Sequence, residues 1–283
     1  MLTDYKEGLQ AVDAVSILLP HHLHHPVTVQ ALAAGCHVLL EKPFALNLAE
    51  ADDMIAKAEA AGRVLMIGYP HRYRKSTRFL KKVVDSGRFG RLSMLDAMMD
   101  EDQRKYVGGW LAEKAKLGGG VFFSASPRML DVMMCLAGDI QTITMVGTHG
   151  GLAMEGEDTA LSVMKFRSGV VGSTRHTWFS AAPGVWFHLR AFFENATLTL
   201  TVNPLADLAT QGHLCPGQTE ISVVGSENGI LLESGEALDF TEEVRHFLDY
   251  VTDNVPCQTD GPAARKLMAA VLQAYDNAER EGG

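Results

Sequence analysis

The sequence predicts a protein of the α/β plus α+β class, in which a parallel sheet is followed by an antiparallel sheet. The first part alternates short apolar runs with helix-forming stretches, which is typical of parallel strands joined by crossover helices. From about residue 92, strand-like segments follow one another with few helices between them, which indicates an antiparallel sheet with helices on one face. We therefore predict half of a doubly wound sheet in residues 1–74 and an α+β domain in residues 75–283.

The first part divides into strands and helices at its Pro, Asn and Gly residues. Pro20 ends a near-continuous apolar run, Pro26 suits the first turn of a helix, and Gly35 ends that helix. Asn47 is a suitable N-cap for the next helix and Gly62 a suitable terminator. The pattern predicts strands at 12–19, 37–40 and 63–67 and helices at 26–34 and 47–61.

The second part is mostly strands, with a helix inside it and two helices at its end. The predicted strands are 92–99, 142–146, 159–166, 172–178, 187–193, 196–202 and 220–224. The predicted helices are 77–85, 121–137, 241–252 and 262–280.

Composition excludes several classes of function. The chain has 283 residues with 25 basic and 34 acidic side chains, a net charge of −9, and no basic run that would indicate nucleic-acid binding. We find no apolar stretch close to the roughly 20 residues of a membrane span and no signal-peptide core, so no membrane partner is expected. The four cysteines form no C-x-x-C pair. Free thiols in a reducing cytoplasm are therefore the better interpretation.

The segment Glu41-Lys42-Pro43 directly follows the apolar run Val38-Leu39-Leu40. A lysine here lies at the carboxyl end of a parallel sheet, the edge at which ligands bind in open α/β sheets. Pro43 restricts Lys42 to an extended backbone, so the side chain is directed. In a partly desolvated pocket, its pKa could fall far enough for acid–base catalysis. A local salt bridge with Glu41 is the alternative.

These residues, together with Pro20-His21-His22-Leu23-His24, Gly68-Tyr69, Asp85-Ser86-Gly87 and Gly118-Gly119-Gly120, resemble the Gfo/Idh/MocA family of NAD(P)-dependent sugar and polyol dehydrogenases. The resemblance implies a Rossmann-like cofactor domain, NAD or NADP as cofactor, and hydride transfer to or from a sugar, polyol or related hydroxyl compound. It implies a homo-oligomer as well. The cofactor-binding residues implied are Pro20, His21, His24, Glu41, Lys42 and Pro43.

The chain departs from the family pattern in its first part. No G-x-G-x-x-G phosphate-binding turn occurs in the sequence, and the resemblance begins partway through the family's cofactor domain. We therefore expect the 12–19 strand to have an unpaired edge. A second copy of the chain, or a rearranged segment such as Leu2–Gln10, would then cover that edge.

The second departure is in the family pattern G-G-G-x-x-x-D-x-G-x-H-x-x-D, whose Asp and His position and deprotonate the substrate hydroxyl. Here Ser124 replaces the Asp, Arg128 replaces the His, and Asp131 is retained. Arginine cannot serve as a general base near neutral pH, but its fork binds carboxylates and phosphates. We predict Lys42, Arg128 and Ser124 as catalytic residues. Arg72, Tyr106, Arg128 and Asp131 are predicted to bind substrate, although surface or packing roles suit Arg72 and Tyr106 equally well.

Two alternatives follow from these departures. One is a redox-inactive or repurposed family member that binds an anionic sugar, such as a sugar acid, or supports a partner subunit. The other is non-redox acid–base chemistry. A metal site in the histidine-rich loop is disfavoured because neighbouring loop residues point in different directions and no carboxylate or cysteine accompanies them at a familiar spacing.

Overall fold

The computed structural model describes residues 4–181, 186–203, 218–224, 230–234 and 240–281. Its first sheet is parallel, with strand order β1-β2-β3, as predicted for half of a doubly wound fold. The strands are β1 (Ala14–Ile17), β2 (His37–Glu41) and β3 (Leu65–Gly68), and the helices beside them are α1 (Tyr5–Leu9), α2 (His24–Ala33) and α3 (Leu48–Ala61).

Helix α3 begins and ends as its sequence predicts. The side chain of Asn47 accepts a hydrogen bond from the backbone N–H of Glu50, and Gly62 adopts a left-handed conformation with φ of 62°. An N-cap of this kind contributes about 1 kcal/mol to helix stability. These two residues set where α3 begins and ends between β2 and β3.

The second sheet has eight strands in the described residues, in the order β11-β10-β9-β8-β4-β7-β6-β5. They are β4 (Leu92–Asp100), β5 (Ile140–Thr148), β6 (Thr159–Phe166), β7 (Val171–Thr177), β8 (Phe187–Phe193), β9 (Thr197–Asn203), β10 (Gln218–Val224) and β11 (Ile230–Ser234). The short strand β11 was not predicted from the sequence.

The second sheet is mixed: its strands pair antiparallel, as predicted, except that β4 and β7 pair in parallel. A long helix and two further strands separate β4 from β7 in the sequence. The chain therefore crosses from β4 through this helix to the edge strand β5, and returns by antiparallel connections through β6 to β7 beside β4. The short-range pattern of apolar and polar residues does not indicate this non-local pairing.

Helices cover one face of the second sheet. Three helices pack against its strands: α4 (Lys75–Ser86), α6 (Val121–Ala137) and α8 (Gly261–Glu281). The short helix α5 (Lys114–Leu117) lies beside the turns at 21–23 and 109–111, and α7 (Thr241–Asp253) packs through Phe247 on Leu39 and Met66 of the first sheet. Most residues of α6 are buried, and the helix packs on β4, β6 and β7. The strands alternate buried and exposed side chains, and Leu161 and Val163 of β6 lie exposed on the opposite face. The prediction of helices on one face is confirmed.

Helix α8 connects the two sheets. It packs against β5 of the second sheet and also against α3 and β3 of the first. Buried apolar residues from both parts form one continuous core. The domain boundary near residue 74 stays a prediction. Helix α8 packs against elements that precede this boundary and against elements that follow it.

The outer edge of β1 is not paired with another strand in the described residues. The segment at 5–9 forms helix α1 and adds no strand to this edge; the Tyr5 hydroxyl donates to the Gln30 side chain instead. Residues 2 and 3 of the segment Leu2–Gln10 lie outside the described part. Covering of the edge by a second copy of the chain stays a prediction.

By length and composition alone, the helical run 114–137 could cross a membrane, contrary to our expectation from the sequence. Of its most apolar window, 83% is buried inside the protein, as in the central helix of a folded core. Cys36, Cys135 and Cys257 are free thiols, and Cys215 lies outside the described residues.

Candidate active site

Lys42 lies at the carboxyl end of β2 with its side chain 6% exposed. Its Nζ donates to the backbone carbonyl of Ser124 in α6 at 3.2 Å and lies 3.9 Å from Oε1 of Glu41. The Lys42–Pro43 peptide bond is cis. Burial lowers the pKa of Lys42 to about 8, and the Arg128 guanidinium adds to this shift while Glu41 and Glu101 oppose it. The amine can therefore take up and release a proton near neutral pH.

Arg128 lies one helical turn after Ser124 in α6, so both face the same side of the helix. Its Nη1 is 3.7 Å from Oε1 of Glu101 and 3.8 Å from the sulfur of Met99. The structure therefore brings the predicted residues Lys42, Ser124 and Arg128 together. Ser124 contributes its backbone carbonyl to the contact with Lys42.

Glu101, just after β4, is a site residue that the sequence reasoning missed. Its Oε2 accepts a hydrogen bond from the indole N–H of Trp178 at 3.0 Å, and its Oε1 accepts one from Trp186 at 3.3 Å. The carboxylate is 10% exposed. Two indole donors therefore hold it in one orientation beside Arg128. In the sequence, Glu101 is one of three consecutive acidic residues that end a strand, which is a weak signal.

His21 and His24 lie on either side of the turn after Pro20. The Nδ1 atom of His21 is 2.8 Å from the carbonyl oxygen of Leu117, and its ring meets Trp110 edge-on at 4.7 Å. Burial, with the nearby Lys42 charge, lowers the pKa of His21 to about 2, so the ring is neutral. His24 lies between the carbonyls of Pro43 and Leu19, at 2.8 and 2.9 Å. It thus fixes the backbone that carries Lys42.

Two further histidines, His71 and His176, are buried next to this group. Both ring nitrogens of His176 and Nδ1 of His71 have no hydrogen-bond partner in the described part of the chain. Burial and the Arg128 charge lower the pKa of His176 to about 3. Burial, Arg74, Arg128 and Lys42 together place the pKa of His71 well below its usual value. Both rings are neutral, and both lie within electrostatic reach of Arg128.

Arg72 and Asp131, which we predicted to bind substrate, bind each other. Nε of Arg72 donates to Oδ2 and Oδ1 of Asp131 at 3.0 and 3.2 Å, and the side chains are 15% and 4% exposed. Nη1 of Arg72 also donates to Gln258. The pair lines a cavity of about 150 Å³ beside Tyr69. No hydrogen bond or ion pair joins it to Lys42 within the described ranges, and its role in substrate binding stays a prediction.

The other predicted residues occupy less central positions. Pro20 precedes the single helical turn at 21–23, and Pro43 contributes the carbonyl bound by His24. The side chain of Tyr106 is 48% exposed, in a loop where its backbone N–H donates to Gln103. The substrate contact predicted for Tyr106 stays a prediction.

Two carboxyl groups, the partly exposed Glu41 and the buried Glu243, extend the site behind Lys42. Glu41 and Glu243 flank Gly68: a Cβ there would lie 3.2 Å from Oε2 of Glu41 and 3.6 Å from Oε1 of Glu243. Glu243 is 2% exposed, and burial and the Glu41 charge raise its pKa to about 8. Glu243 is therefore mostly protonated at neutral pH. This burial was not predictable from the sequence, because Glu243 is one of two adjacent acidic residues in the first turn of α7.

The glycine run Gly118-Gly119-Gly120 allows close packing at the start of α6. A Cβ at Gly120 would overlap the backbone of Glu157, and one at Gly119 would overlap the Tyr275 ring. Oε1 of Glu157 accepts hydrogen bonds from the backbone N–H of Phe122 and from the Tyr275 hydroxyl. Glu157 therefore caps the helix that carries Ser124 and Arg128. The glycines therefore allow the close packing that positions the start of this helix.

Comparison with known proteins adds independent information. Residues 1–69 match a family described as an oxidoreductase family with an NAD-binding Rossmann fold, and residues 77–199 match the GFO/IDH/MocA C-terminal domain. These two matches cover well over half of the chain.

Two curated relatives are each 31% identical to the chain. One is 1-carboxy-3-chloro-3,4-dihydroxycyclohexa-1,5-diene dehydrogenase of Comamonas testosteroni, matched over 170 residues, 60% of this chain and 43% of the relative. The other is 1,5-anhydro-D-fructose reductase of Ensifer adhaerens, matched over 162 residues, 56% of this chain and 49% of the relative. The chain spans less than half the length of these two relatives.

A solved structure, aldose-aldose oxidoreductase from Caulobacter crescentus complexed with glycerol, superposes with a TM-score of 0.81 at 22% identity. The superposition covers 99% of this chain and 81% of that one. At this identity the likeness concerns the fold alone.

Proposed function

Because the chain belongs to the Gfo/Idh/MocA family of oxidoreductases, we propose that it interconverts a hydroxyl and a carbonyl group on a sugar, polyol or related compound, with NAD or NADP as cofactor. The observation that carries the proposal is the buried Lys42, whose pKa near 8 suits proton transfer at the carboxyl edge of a parallel sheet. The comparisons do not favour a redox-inactive or non-redox role.

The described residues fit the nicotinamide end of such a cofactor. Leu18 and Leu19, just after β1, are 67% and 37% exposed and offer an apolar surface at the ligand-binding edge. Nδ1 of His22 in the same loop is buried without a hydrogen-bond partner among the described residues. Pro20, His21, His24 and Glu41–Pro43 would surround that end of the cofactor. The sequence has no G-x-G-x-x-G turn to hold the pyrophosphate.

The chain's own residues would accept the proton of the substrate hydroxyl. A bound nicotinamide would supply the hydride acceptor. As the substrate O–H becomes C=O, the neutral amine of Lys42 would take the hydroxyl proton and become an ammonium ion. Glu41, at 3.9 Å, would stabilise that charge. Arg128 and Glu101 would orient the substrate, since they lie beside each other and their charges reach Lys42.

The experiment is a calorimetric titration with NAD(H) and NADP(H), followed by a dehydrogenation assay with a panel of sugars and polyols. Lys42→Met is expected to reduce the activity by about 10²- to 10⁴-fold, the usual contribution of a positioned acid or base. Lys57→Met, which removes a 44% exposed lysine of α3, is the matched control and should leave activity unchanged. No binding at millimolar cofactor, or full activity of Lys42→Met, would overturn the proposal.

We also propose that the protein is a cytoplasmic homo-oligomer. Val146 of β5 and Leu161 of β6 are paired neighbours on the open face of the second sheet, and both are at least half exposed, as is Val163. Such an apolar patch favours association with a second copy. Light scattering of the wild type and of Leu161→Glu tests this: a larger wild-type mass that the variant reduces to one chain is expected. A monomeric wild type at micromolar concentration would contradict it.

A further inference from the structure

Arg128 is a half-buried cation with few close partners. A guanidinium carries five N–H donors in a fixed fork. Within the described residues, Arg128 donates a weak hydrogen bond from Nη1 to the Met99 sulfur at 3.8 Å, and the Glu101 carboxylate lies 3.7 Å away, beyond ordinary hydrogen-bond distance. Its side chain remains 27% exposed. The fork is therefore open to an acceptor that arrives with a ligand.

Glu101 is not free to become that acceptor. Its two oxygens accept the indole N–H groups of Trp178 and Trp186. A rotation that formed a bidentate pair with Arg128 would break one or both of these bonds, and a buried indole donor left unpaired is costly. Glu101 thus partly balances the charge of Arg128 without occupying its fork.

The groups around Arg128 favour an anionic ligand over a cationic one. His21, His71 and His176 are neutral, and the Arg128 charge contributes to the low pKa of each. The His176 ring, fully buried, has two unpartnered nitrogens. Lys42 provides a second cation at the same site while it is protonated. A carboxylate could accept charge-assisted hydrogen bonds from the guanidinium of Arg128, whereas a neutral sugar would offer that guanidinium only weaker acceptors.

We propose that the substrate is a hydroxy acid of the sugar-acid or polyol-acid class, with its carboxylate on the fork of Arg128 and the reacting hydroxyl at Lys42. This inference rests on the proposed function. The redox step is unchanged by it: the hydroxyl carbon loses hydride to the oxidised nicotinamide, and the hydroxyl oxygen loses its proton to the Lys42 amine. The carboxylate keeps its charge throughout and serves to position the substrate.

The test compares acids with neutral partners of the same skeleton: D-gluconate with D-sorbitol, and D-galacturonate with D-galactose. Binding is measured by calorimetry in the presence of saturating cofactor, and turnover is measured separately. The wild type is expected to bind at least one acid about 10- to 100-fold more tightly than its neutral partner, as charge-assisted hydrogen bonds predict. Equal binding of both members of each pair would overturn the proposal.

Variants assign the effect to Arg128. Arg128→Gln, and Arg128→Lys, which keeps the charge but loses the fork, should both weaken the binding of the acid more than the binding of its neutral partner, so that the preference for the acid falls. Glu101→Gln should strengthen acid binding, because it removes the competing negative charge. Arg78→Gln, at an exposed ion pair on α4, is the matched control. If a variant does not fold, the wild-type comparison and the opposite-signed Glu101 variant still decide the question.

The outcomes separate the two proposals. Turnover of neutral compounds that depends on Lys42 but not on Arg128 would refute the hydroxy-acid substrate and leave the oxidoreductase intact. Absence of cofactor binding and of turnover would refute the oxidoreductase. In that case acid binding measured without cofactor, and its loss in Arg128→Gln, decides whether the anion site exists.

Discussion

The buried ion pair of Arg72 and Asp131 gives a strong stability prediction. With Asp131 only 4% exposed, replacing Arg72 by Met would leave a carboxylate without the hydrogen bonds donated by Nε and Nη2 of Arg72. Breaking a buried pair in this way typically costs 3 to 5 kcal/mol. The adjacent cavity of about 150 Å³ can admit water to the orphaned carboxylate. We therefore expect the lower end of that range, about 3 kcal/mol.

The loss should depend on pH. Burial raises the pKa of Asp131, whereas the Arg72 charge and hydrogen bonds lower it. Without Arg72 the pKa of Asp131 rises further, and the carboxyl group escapes the penalty of burial by taking up a proton. The destabilisation by Arg72→Met should therefore be larger at pH 8 than at pH 5. The double variant Arg72→Met/Asp131→Leu should recover much of the loss, because a packed apolar pair can replace a buried ion pair.

Urea denaturation followed by circular dichroism measures these free energies of unfolding. Arg78→Met is the matched control: its ion pair with Glu242 is 48% and 39% exposed, and should cost less than about 1 kcal/mol. If Arg72→Met is as stable as this control at both pH values, the structural role assigned to the pair is wrong. If it is stable but binds substrate poorly, the original prediction of a substrate contact is correct.

Three further predictions concern Glu243, Gly120 and Lys42. Because the folded-state pKa of Glu243 is raised to about 8, its contribution to stability is present below the unfolded pKa of about 4.5 and is lost as pH rises to 8. Over this interval the wild type should lose about 3 to 5 kcal/mol of its free energy of unfolding, and Glu243→Gln should not. Urea titrations in which both proteins lose the same free energy as pH rises would contradict this. Gly120→Ala should cost about 3 kcal/mol or more because its Cβ meets the Glu157 backbone, whereas Gly108→Ala, which has open space, should change the melting temperature little. For the oxidation of an alcohol, kcat/KM should rise with pH and level off above about 8 as Lys42 becomes neutral; a flat profile from pH 6 to 9 would exclude Lys42 as the base.

Much of the fold was predictable because local signals agreed with the tertiary structure. Asn47 and Gly62 mark both ends of α3, and the apolar run before Glu41 marks a strand buried in a parallel sheet. What could not be predicted depends on distant pairing. The parallel pairing of β4 with β7 depends on the crossover through α6 and on the two antiparallel connections that follow it.

The site was predictable where a residue is tied to a motif and unpredictable where it is defined by burial. Lys42, Ser124 and Arg128 meet as expected because each follows a recognisable strand or glycine run. Glu101 and His176 lie on β-strands or at their ends, in patterns that a surface residue could equally produce. Only the packing of the indoles and of α6 makes them part of the site. The contact of α6 with the turn at 70–73 likewise brings Asp131 to Arg72.

The indole groups around Glu101 have a practical consequence. The protein has three tryptophans, and all three border the site: Trp178 and Trp186 bond to Glu101, and Trp110 meets His21. Intrinsic fluorescence excited at the indole band therefore reports on this region and on no other part of the chain. Quenching by iodide or acrylamide would follow occupancy of the site directly, without any label. Titrations with cofactor and substrate can therefore be followed by the intrinsic tryptophan fluorescence of the protein.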